Sequence, residues 1–384
     1  MIQLVGPSIT GDDIDRVCRT MLDGWVSTAG PVVEDFERSL GVAVGLPHVV
    51  ATNSGTAALQ LALSGLGVGQ GDDVLISDFS FIAPANVVRL SGAMPRFIDS
   101  REVDWQLDGR SLAELLGEYE PQADRARHRQ SGRRLGAVIV VHILGSLADL
   151  PLIRRLTHEV GVPLIEDAAQ AMGARWDHLP FGATRFGESG VRVVCTSFNG
   201  NKLVTTGAGG AAMTDQLEIA DRMRHLASVA RVPDKWDYRH DEVGFNVRMN
   251  SLSAALGVSQ LERLSGLVAR SRGIAAHLIE AVEGTGRVIA IGEPQAVTAT
   301  YWNLGIRLQE DSRAAAQRCF LAGIETRRPW MPVRRQAHIG TDQELKPSIS
   351  DLLWQQGLLV PCRPTLTDSD VEFLATVLPR LLVP

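Results

Sequence analysis

The sequence is poor in the features that mark nucleic-acid-binding, membrane-spanning and secreted proteins. Its 384 residues carry a formal net charge of -6, whereas nucleic-acid binding usually accompanies a strong positive balance. No run approaches the roughly eighteen apolar residues that a membrane helix needs. The N-terminus lacks the basic and then apolar segments of a secretory signal. We therefore expect a cytoplasmic protein with neither nucleic acid nor a membrane as its partner.

Cysteine is also scarce, and the four cysteines lie far apart. Cys18, Cys195, Cys319 and Cys362 show no pairing at metal-ligand spacing. Each is expected to be a small core residue or a free thiol rather than a ligand or a disulfide partner. The sequence therefore predicts no metal site.

A dinucleotide-binding fingerprint is absent as well. The two glycine-bearing turns, "TTGAGG" and "SGTAAL", do not spell G-x-G-x-x-G. A nicotinamide-dependent dehydrogenase is therefore poorly supported, although it stays an alternative from a different enzyme class.

What the sequence does have is a regular alternation of short apolar runs and helical patterns. Hydrophobic residues make up 45% of the chain, enough for a sizeable core. Helical segments separate apolar runs such as "DVLISD", "LGAVIVVHIL" and "RVVCTSF". Such alternation is typical of a mostly parallel sheet with helices on both faces. We therefore predict an α/β fold.

Three regions follow from this pattern. Residues 1–250 are assigned to an N-terminal segment and a large α/β domain. Residues 251–283 are predicted to form one long connecting helix or two in tandem, and residues 284–384 a small C-terminal α+β domain.

The first helix is predicted from "SITGDDIDRVCRTMLDGW". Thr10 and Asp13 form a capping-box pattern just before the apolar residues begin. Ile14, Val17 and Met21 then fall on one face. This spacing indicates an amphipathic helix.

Chemically interesting groups follow the ends of several predicted strands, where open parallel sheets bind ligands. Ser54, Gly55 and Thr56 stand at a strand-to-helix junction, where free amides and the helix dipole suit a phosphate. Asp167 ends the run "PLIED", and Lys202 lies in the polar loop after "RVVCTSF". Taken singly, each has a plainer explanation: helix caps and turns for the first two sites, and a solvated loop for the lysine.

Taken together, these groups make chemical sense as a site for pyridoxal 5'-phosphate. That cofactor needs a lysine for its Schiff base, a carboxylate at its pyridine nitrogen, an anion site for its phosphate and an aromatic face for its ring. Candidates for all four occur in order at strand ends.

The chain also resembles the DegT-type (DegT/DnrJ/StrS) sugar-nucleotide aminotransferases, fold-type I enzymes that place an amino group on a nucleotide-linked keto sugar. The matching stretches run from near residue 20 to about residue 332 and include "DGWVSTAGPVVEDFE", "NSGTAAL", "SFIAPANVV", "IEDAAQAMGA", "SFNGNKLVTTGAGG" and "GFNVRMNSLSAALGVSQLERL". Shared order over so much of the chain argues against chance similarity. The resemblance implies a large domain with a mostly parallel, seven-stranded-type sheet and a small C-terminal α+β domain.

The resemblance implies a role for each matching residue. Lys202 in "NGNK" would form the Schiff base, and Asp167 in "EDAAQ" would pair with the pyridine nitrogen. The other cofactor contacts would be Gln170 beside the ring, Phe81 stacked on it, and Ser54, Gly55, Thr56 and Ser197 around the phosphate. Asn246 in "GFNVRMN" would reach the phosphate of the neighbouring subunit, which requires a homodimer with shared active sites.

Substrate contacts match the family less closely. Trp25 and Ser27 lie in the matching stretch "DGWVSTAG". Arg327 and Arg328 stand in "ETRRPW", where the family often has "ETRPLW". A role in binding the substrate diphosphate and a role as solvated or carbonyl-bound charges are weighed evenly for these arginines.

The lysine motif most resembles members that act on UDP-linked 4-keto-6-deoxy N-acetyl sugars. GDP-4-keto-6-deoxymannose, which gives perosamine, is the close alternative. Glutamate is the expected amino donor, with pyridoxamine phosphate as the intermediate form of the cofactor and ping-pong kinetics. Family members that dehydrate their substrate carry histidine at the lysine position, so Lys202 favours transamination. A non-enzymatic sensor with this fold is the remaining alternative.

Overall fold

The computed structural model describes residues 1–122, 124–184 and 190–382. Its helices are α1 Gly11–Leu22, α2 Pro31–Val44, α3 Gly55–Gly65, α4 Ala83–Leu90, α5 Gly109–Leu116, α6 Leu150–Val160, α7 Leu217–Ala227, α8 Ser251–Glu262, α9 Leu264–Glu283, α10 Ser312–Leu321, α11 Ile349–Gln356 and α12 Asp368–Leu381. A turn of 3-10 helix covers Val333–Arg335.

The strands are mostly short, as the apolar runs predict. They are β1 His48–Thr52, β2 Asp72–Ser77, β3 Met94–Ile98, β4 Tyr119–Glu120, β5 Arg127–His128, β6 Arg134–Val141, β7 Leu164–Asp167, β8 Arg175–Trp176, β9 Leu179–Pro180, β10 Arg192–Ser197, β11 Gly210–Thr214, β12 Arg231–Val232, β13 Arg239–His240, β14 Val288–Ala290, β15 Val297–Thr298, β16 Leu304–Leu308 and β17 Gly357–Val360.

The central sheet has nine strands, with the main order β1-β11-β10-β7-β6-β2-β3 and the short pair β4 and β5 attached through β6. Strands β10, β7, β6, β2 and β3 are all parallel to one another. Strand β11 runs antiparallel between β1 and β10. The predicted mostly parallel sheet is confirmed, and β11 and the short strand β5 are antiparallel to their neighbours.

Both faces of this sheet are buried under helices. Val49 and Ala51 of β1 join a core that contains Phe36 of α2, whereas Val50 packs in a second core with Ala58 of α3. Successive side chains of a strand point to opposite faces, so one short strand contributes to two cores. This explains why the strands read as continuous apolar runs.

The C-terminal part of the chain is a small α+β unit. An antiparallel sheet of order β14-β16-β17 is accompanied by α10, α11 and α12. The segment before it forms two helices in tandem, α8 and α9, with Arg263 between them. Leu304 of β16 and Leu374 of α12 belong to the same hydrophobic core as Phe36. The domain limits at 250 and 284 stay predictions.

The structure also shows the state of the four cysteines and whether a helix could span a membrane. Cys195, Cys319 and Cys362 are buried and Cys18 is exposed, and all four are free. Within the ranges given above, none of the helices is long and apolar enough to cross a membrane.

The strands that carry the candidate site all end at one edge of the sheet. Strand β1 is parallel to β10 because β11 lies antiparallel to both. Thr52 at the end of β1 pairs with Gly210 at the start of β11. A Cβ at Gly210 would lie 2.4 Å from the backbone carbon of Ser54, so only glycine lets the two chains approach this closely.

Candidate active site

The N-terminus of α3 opens onto this edge. Ser54 is its extended N-cap, with φ -165 and ψ 159, and its Oγ accepts from the Ala57 amide at 3.1 Å. The amides of Gly55 and Thr56 have no acceptor within the helix, because the first turn never does. A Cβ at Gly55 would lie 2.7 Å from the Cβ of Ser197, so this glycine brings the helix against the end of β10. The result is an anion site beside Ser197.

Asp167 ends β7 at the same edge and is buried. Its Oδ1 accepts from the Ala169 amide at 3.0 Å, while none of the residues that the structure describes donates to its other oxygen. Burial raises the pKa of the carboxyl, and the Ala169 amide and Lys202 oppose that shift. Residues 168–174 form turns and not a helix, so the helix cap of the plainer explanation is wrong. Asp167 instead accepts from an amide of the following turn and keeps one oxygen to accept a further proton donor.

Gln170 lies in the turn after Asp167 and is also buried. Its Oε1 accepts from the Leu144 amide at 2.8 Å, which ties this turn to the loop after β6. The side chain is therefore fixed by the protein itself.

Lys202 stands in the loop after β10 and is half-buried. Its amide donates to the Asn199 carbonyl at 2.9 Å, and its amine lies over the indole of Trp302, 4.1 Å from the ring centroid. Burial lowers the pKa of the amine to about 8, and the charge of Asp167 opposes that shift. Lys202 is therefore no ordinary solvated lysine: its amine can both hold and release a proton near neutral pH.

Phe81 and Asn246 are both exposed in the single chain. Phe81 has 58% of its surface exposed and follows the end of β2, at the same edge as Asp167. Asn246 follows the β12–β13 hairpin, and the neighbouring Val247 carbonyl accepts from the Asn53 amide at 2.8 Å. Asn246 therefore lies close to the α3 end of its own chain, and its predicted service to a neighbouring subunit is not seen in one protomer.

The candidate substrate residues are spread more widely. Trp25 is 43% exposed, and the Ser27 carbonyl accepts from the Ser251 amide at 2.8 Å. Arg327 pairs with Glu325 at 2.9 Å and keeps 66% of its side chain exposed.

Arg328 points into the small unit instead. Its guanidinium lies 4.9 Å from the centroid of the Trp354 ring and 3.4 Å from a carboxylate oxygen of Asp311. The two neighbouring arginines therefore have different surroundings, and Arg327 is the more available of the two.

Glu166, next to Asp167, is a buried charge that the sequence analysis misses. Its carboxylate accepts from Arg154 at 2.9 Å, and Nε2 of His142 lies 3.5 Å from its other oxygen. The Ala148 amide donates to Nδ1 of His142 at 3.2 Å, which leaves the imidazole proton on Nε2. Burial alone would raise the pKa of Glu166, but Arg154, His142 and Arg192 hold it well below its usual range.

This network braces the strand end that carries Asp167. The only signal for it in the sequence is an acidic residue inside the otherwise apolar strand "PLIED". The arginine and histidine that neutralise it come from other elements.

The residues present fit pyridoxal phosphate on several observations of the structure. The α3 N-terminus offers free amides for a phosphate, and Asp167 keeps one oxygen for a ring N–H. Lys202 carries an amine whose pKa is lowered to about 8, and Phe81 presents an exposed aromatic ring. All of them stand at the carboxyl edge of one sheet.

The whole chain matches a known family. Residues 7–378 match the model of the DegT/DnrJ/EryC1/StrS aminotransferase family. The chain belongs to this family. The match confirms the resemblance and the fold-type I architecture, and it sets aside the dehydrogenase and the sensor.

Individual members of the DegT family support the assignment. The chain is 30% identical to the GDP-perosamine synthase of Caulobacter vibrioides, over 100% of this chain and 98% of that protein. It is 31% identical to EpsN of Bacillus subtilis, named as a pyridoxal phosphate-dependent aminotransferase, over 99% of this chain and 95% of that protein. The aminotransferase TlmJ of Streptoalloteichus hindustanus superimposes with a TM-score of 0.89 at 28% identity, covering 100% and 99% of the two chains.

The protein is therefore a pyridoxal phosphate-dependent sugar aminotransferase. As a DegT-family member it acts on a nucleotide sugar and takes its nitrogen from an amino donor. The roles of its individual residues remain predictions.

Proposed function

We propose that this aminotransferase moves an amino group from glutamate to the 4-keto carbon of a nucleotide-linked 4-keto-6-deoxy sugar used for surface glycans. The observation that carries the proposal is that Lys202 and Asp167 lie close enough for each charge to act on the pKa of the other, at the sheet edge beside the α3 N-terminus. A lysine amine with its pKa near 8 is matched to proton transfer at neutral pH. Catalysis in the cytoplasm follows from the soluble nature of such substrates.

Each residue has a task in this reaction. Bound pyridoxal phosphate supplies an aldehyde and an electron-accepting ring. Lys202 would hold the aldehyde and, once free, its amine would move a proton from the donor's α-carbon to C4′ of the cofactor. Asp167 would keep the ring nitrogen protonated, the amides of Gly55 and Thr56 would hold the phosphate, and Phe81 would cover the ring.

The nucleotide is proposed to be GDP. The GDP-perosamine synthase of Caulobacter vibrioides matches the chain from end to end, which supports a GDP-linked 4-keto-6-deoxymannose. The form of the lysine motif, "SFNGNK", favours a UDP-linked 4-keto-6-deoxy N-acetyl sugar as the second candidate. Both substrates present the same keto group to Lys202, so the chemistry at the lysine is common to the two.

A substrate panel separates the two candidates. Holoenzyme and glutamate are incubated with the GDP-, UDP- and dTDP-linked 4-keto-6-deoxy sugars, and the amino sugars are quantified by mass spectrometry. We expect the highest kcat/KM for the GDP-linked sugar. A preference for UDP or dTDP would overturn the choice of nucleotide, and no amination of any of the three would overturn the choice of keto sugar.

The lysine itself can be identified chemically, because the chain has only three lysines, Lys202, Lys235 and Lys346. Borohydride reduction of the holoenzyme fixes the cofactor to its lysine, and peptide mapping then shows which one. We expect the label on Lys202 alone, and Lys202→Ala should give an unlabelled, inactive protein that keeps its fold. A label on another lysine would refute the assignment.

We also propose that the active form is a homodimer in which Asn246 serves the cofactor of the partner. Two exposed apolar surfaces support a second copy as the occupant. On α1, Ile14 is 56% and Leu22 86% exposed. In and after the hairpin that precedes Asn246, Trp236 is 81% and Val243 87% exposed. Such surfaces in a soluble protein mark interaction sites.

A further inference from the structure

Trp302, in the C-terminal part of the chain, contacts Lys202. It stands between β15 and β16, just before the central strand of the small C-terminal sheet. The face of its indole lies under the Lys202 amine, with Nζ 4.1 Å from the ring centroid. Its Nε1–H donates to the carbonyl of Asn201 at 2.6 Å. One side chain therefore contacts both the amine of Lys202 and the backbone that carries it.

The backbone around Trp302 is itself held in place. The Thr300 amide donates to the Gly145 carbonyl at 2.8 Å, and Tyr301 has a left-handed φ of 50. A Cβ at Gly145 would lie 2.7 Å from the Tyr301 nitrogen, so the two loops pack backbone against backbone. Because the two residues that precede Trp302 are held against the Gly145 loop, the indole is presented to Lys202 as part of the fold.

The face of an indole attracts a cation but offers little to a neutral amine. It therefore favours the ammonium form of Lys202, as Asp167 does through its charge. Asp167 is the charged side chain that acts on this amine, and Trp302 is the aromatic one. Both act against burial, which favours the neutral form.

We propose that Trp302 is a positioning residue of this aminotransferase, whose indole holds the Lys202 ammonium in place whenever the lysine is not bound to the cofactor. The proposal rests on the proposed role of Lys202 as the cofactor lysine. In that role the amine must leave the cofactor in each half-reaction and return to it, and a fixed resting position keeps it within reach of the carbon it deprotonates. The hydrogen bond from the indole to the Asn201 carbonyl fixes the loop that carries Lys202 relative to the Trp302 ring.

The test measures the pKa of Lys202 in the apoprotein, without using activity. Isotope-labelled acetic anhydride reacts with neutral amines, and the pH dependence of labelling at each lysine peptide gives its pKa. Lys235 and Lys346 serve as internal references in the same sample. The decisive variant carries tetrafluorotryptophan at position 302, which keeps the shape of the indole and weakens the electrostatic attraction of its face.

With the fluorinated residue we expect the pKa of Lys202 to fall by about half a unit to one unit, which gives about three- to fivefold faster labelling at pH 7. Lys235 and Lys346 should not change. Trp302→Phe should lower the pKa less than Trp302→Leu, because a phenyl ring retains part of the attraction. An unchanged or raised pKa in the fluorinated protein would overturn the proposal, since a purely structural tryptophan would leave the lysine unaffected.

The failure of this proposal can be told apart from the failure of the proposed function. Borohydride mapping reports whether Lys202 carries the cofactor and does not depend on Trp302. A lowered pKa together with a label on another lysine would leave the contact real but without a role in transamination. A label on Lys202 with no change in its pKa would keep the function and remove Trp302 from it.

Discussion

At the scale of single residues, Asp167 and Lys202 carry opposite charges at positions where burial disfavours the charged form of each side chain. Burial raises the pKa of Asp167 and lowers that of Lys202, and the attraction between the two opposes both shifts. In the proposed roles, a bound cofactor would place a cationic ring nitrogen at Asp167 and would bind the Lys202 amine, which would relieve both costs.

The first prediction concerns the stability of the apoprotein. The pKa of Lys202 falls from 10.5 to about 8 on folding, so the folded state holds this proton less tightly and the lysine is destabilising while it is charged. That cost is complete below about pH 8, declines as pH rises and vanishes above 10.5. We expect Lys202→Met to resist urea better than wild type at pH 7, with an advantage that fades toward pH 10.5.

Equilibrium urea unfolding of the apoproteins at several pH values measures this difference. The exposed Lys235 provides the control, since Lys235→Met removes a lysine without removing a buried charge. An advantage for Lys202→Met that stays constant with pH would contradict the prediction.

The second prediction is that Asp167→Asn lowers kcat by about a hundredfold or more. An amide cannot hold the ring nitrogen protonated as a carboxylate does, and loss of one such electrostatic contact in a site typically costs this much. Asp149→Asn is a matched control, because the Asp149 carboxylate also accepts from a backbone amide a few residues on, that of Leu152 at 3.2 Å. Equal steady-state kinetics for the two variants would show that Asp167 only stabilises the turn that follows it.

The sequence predicts Asp167 and Lys202 but not Glu166 or Trp302. Strand-end residues can be predicted because parallel strands bring their carboxyl ends together whatever their order in the sheet. The roles of Glu166 and Trp302 depend on contacts with Arg154 and Asn201, which lie in other elements. Such long-range contacts leave no periodic signal in the sequence.

At the scale of elements, α1 is the clearest difference between pattern and structure. The helix and its capping interaction are confirmed, with the Thr10 amide donating to Asp13 at 2.8 Å. However, Ile14 and Met21 are 56% and 54% exposed, so the apolar face of this amphipathic helix is not covered by the rest of the chain. Asp13 is buried instead and is bound by Arg263 at 2.8 Å.

The hydrophobic periodicity therefore predicts the helix correctly, but it does not show which side of α1 is buried. Hydrophobic spacing shows that a helix has an apolar face but not what that face will meet. The ion pair between Asp13 and Arg263 buries the polar side of α1 against the junction of α8 and α9. The apolar side stays exposed.

The third prediction concerns the contact between the small unit and strand β2. Arg334 follows the start of the 3-10 turn, and its amide donates to the buried Asp78 at 2.9 Å. Its guanidinium bonds Asp78 and also reaches Asp351 of α11 at 2.5 Å. Removing Asp78 takes one of two carboxylates from the Arg334 guanidinium and the acceptor from the Arg334 amide, so Asp78→Ala should cost about 3 kcal/mol of unfolding free energy.

Urea unfolding compares this variant with Asp35→Ala. Asp35 pairs with Arg38 at 3.0 Å, but the two side chains are 53% and 71% exposed, so this loss should stay below about 1 kcal/mol. Because Phe81 follows Asp78 in the same loop, we also expect weaker retention of the cofactor in Asp78→Ala. Similar unfolding free energies for the two variants would contradict the assignment of this contact.

At the scale of the whole molecule, the shared-site proposal leads to a fourth prediction. Asn246→Asp would place a carboxylate near a phosphate and weaken cofactor binding. Co-expressed with Lys202→Ala, it forms mixed dimers in which one site has both defects and the other has none. About half of randomly paired dimers are mixed, so about a quarter of wild-type activity should return.

The same experiment examines the position of Asn246 beside its own α3 end. If Asn246 serves its own chain, every site in every dimer carries a defect and activity stays at the level of the parents. Subunits with different affinity tags confirm that mixed dimers have formed. Absence of rescue in those dimers would refute the shared site.

The overall architecture is largely predictable from the sequence, except for strand β11. Alternating strands and helices give parallel neighbours through short crossovers, which the pattern of apolar runs predicts. The insertion of β11 between β1 and β10 is a pairing between distant segments, in which His48 meets Thr214. The glycines of "TTGAGG" show that a turn occurs there but not which strand lies beside it.

The same insertion sets an order for folding during synthesis. Among the described strands of the central sheet, β1 lies at the edge and pairs with β11, and on its other side Thr52 bridges the still later Arg248. Strand β1 therefore has no such neighbour until Gly210–Thr214 has left the ribosome. Helix α3, which is proposed to bind the phosphate, leaves the ribosome early but acquires its place late, after β2, β3, β6, β7 and β10 can already pair with one another. We therefore expect cofactor binding only after β11 has paired with β1 and β10. Until then the newly made chain is an apoprotein whose central sheet is incomplete.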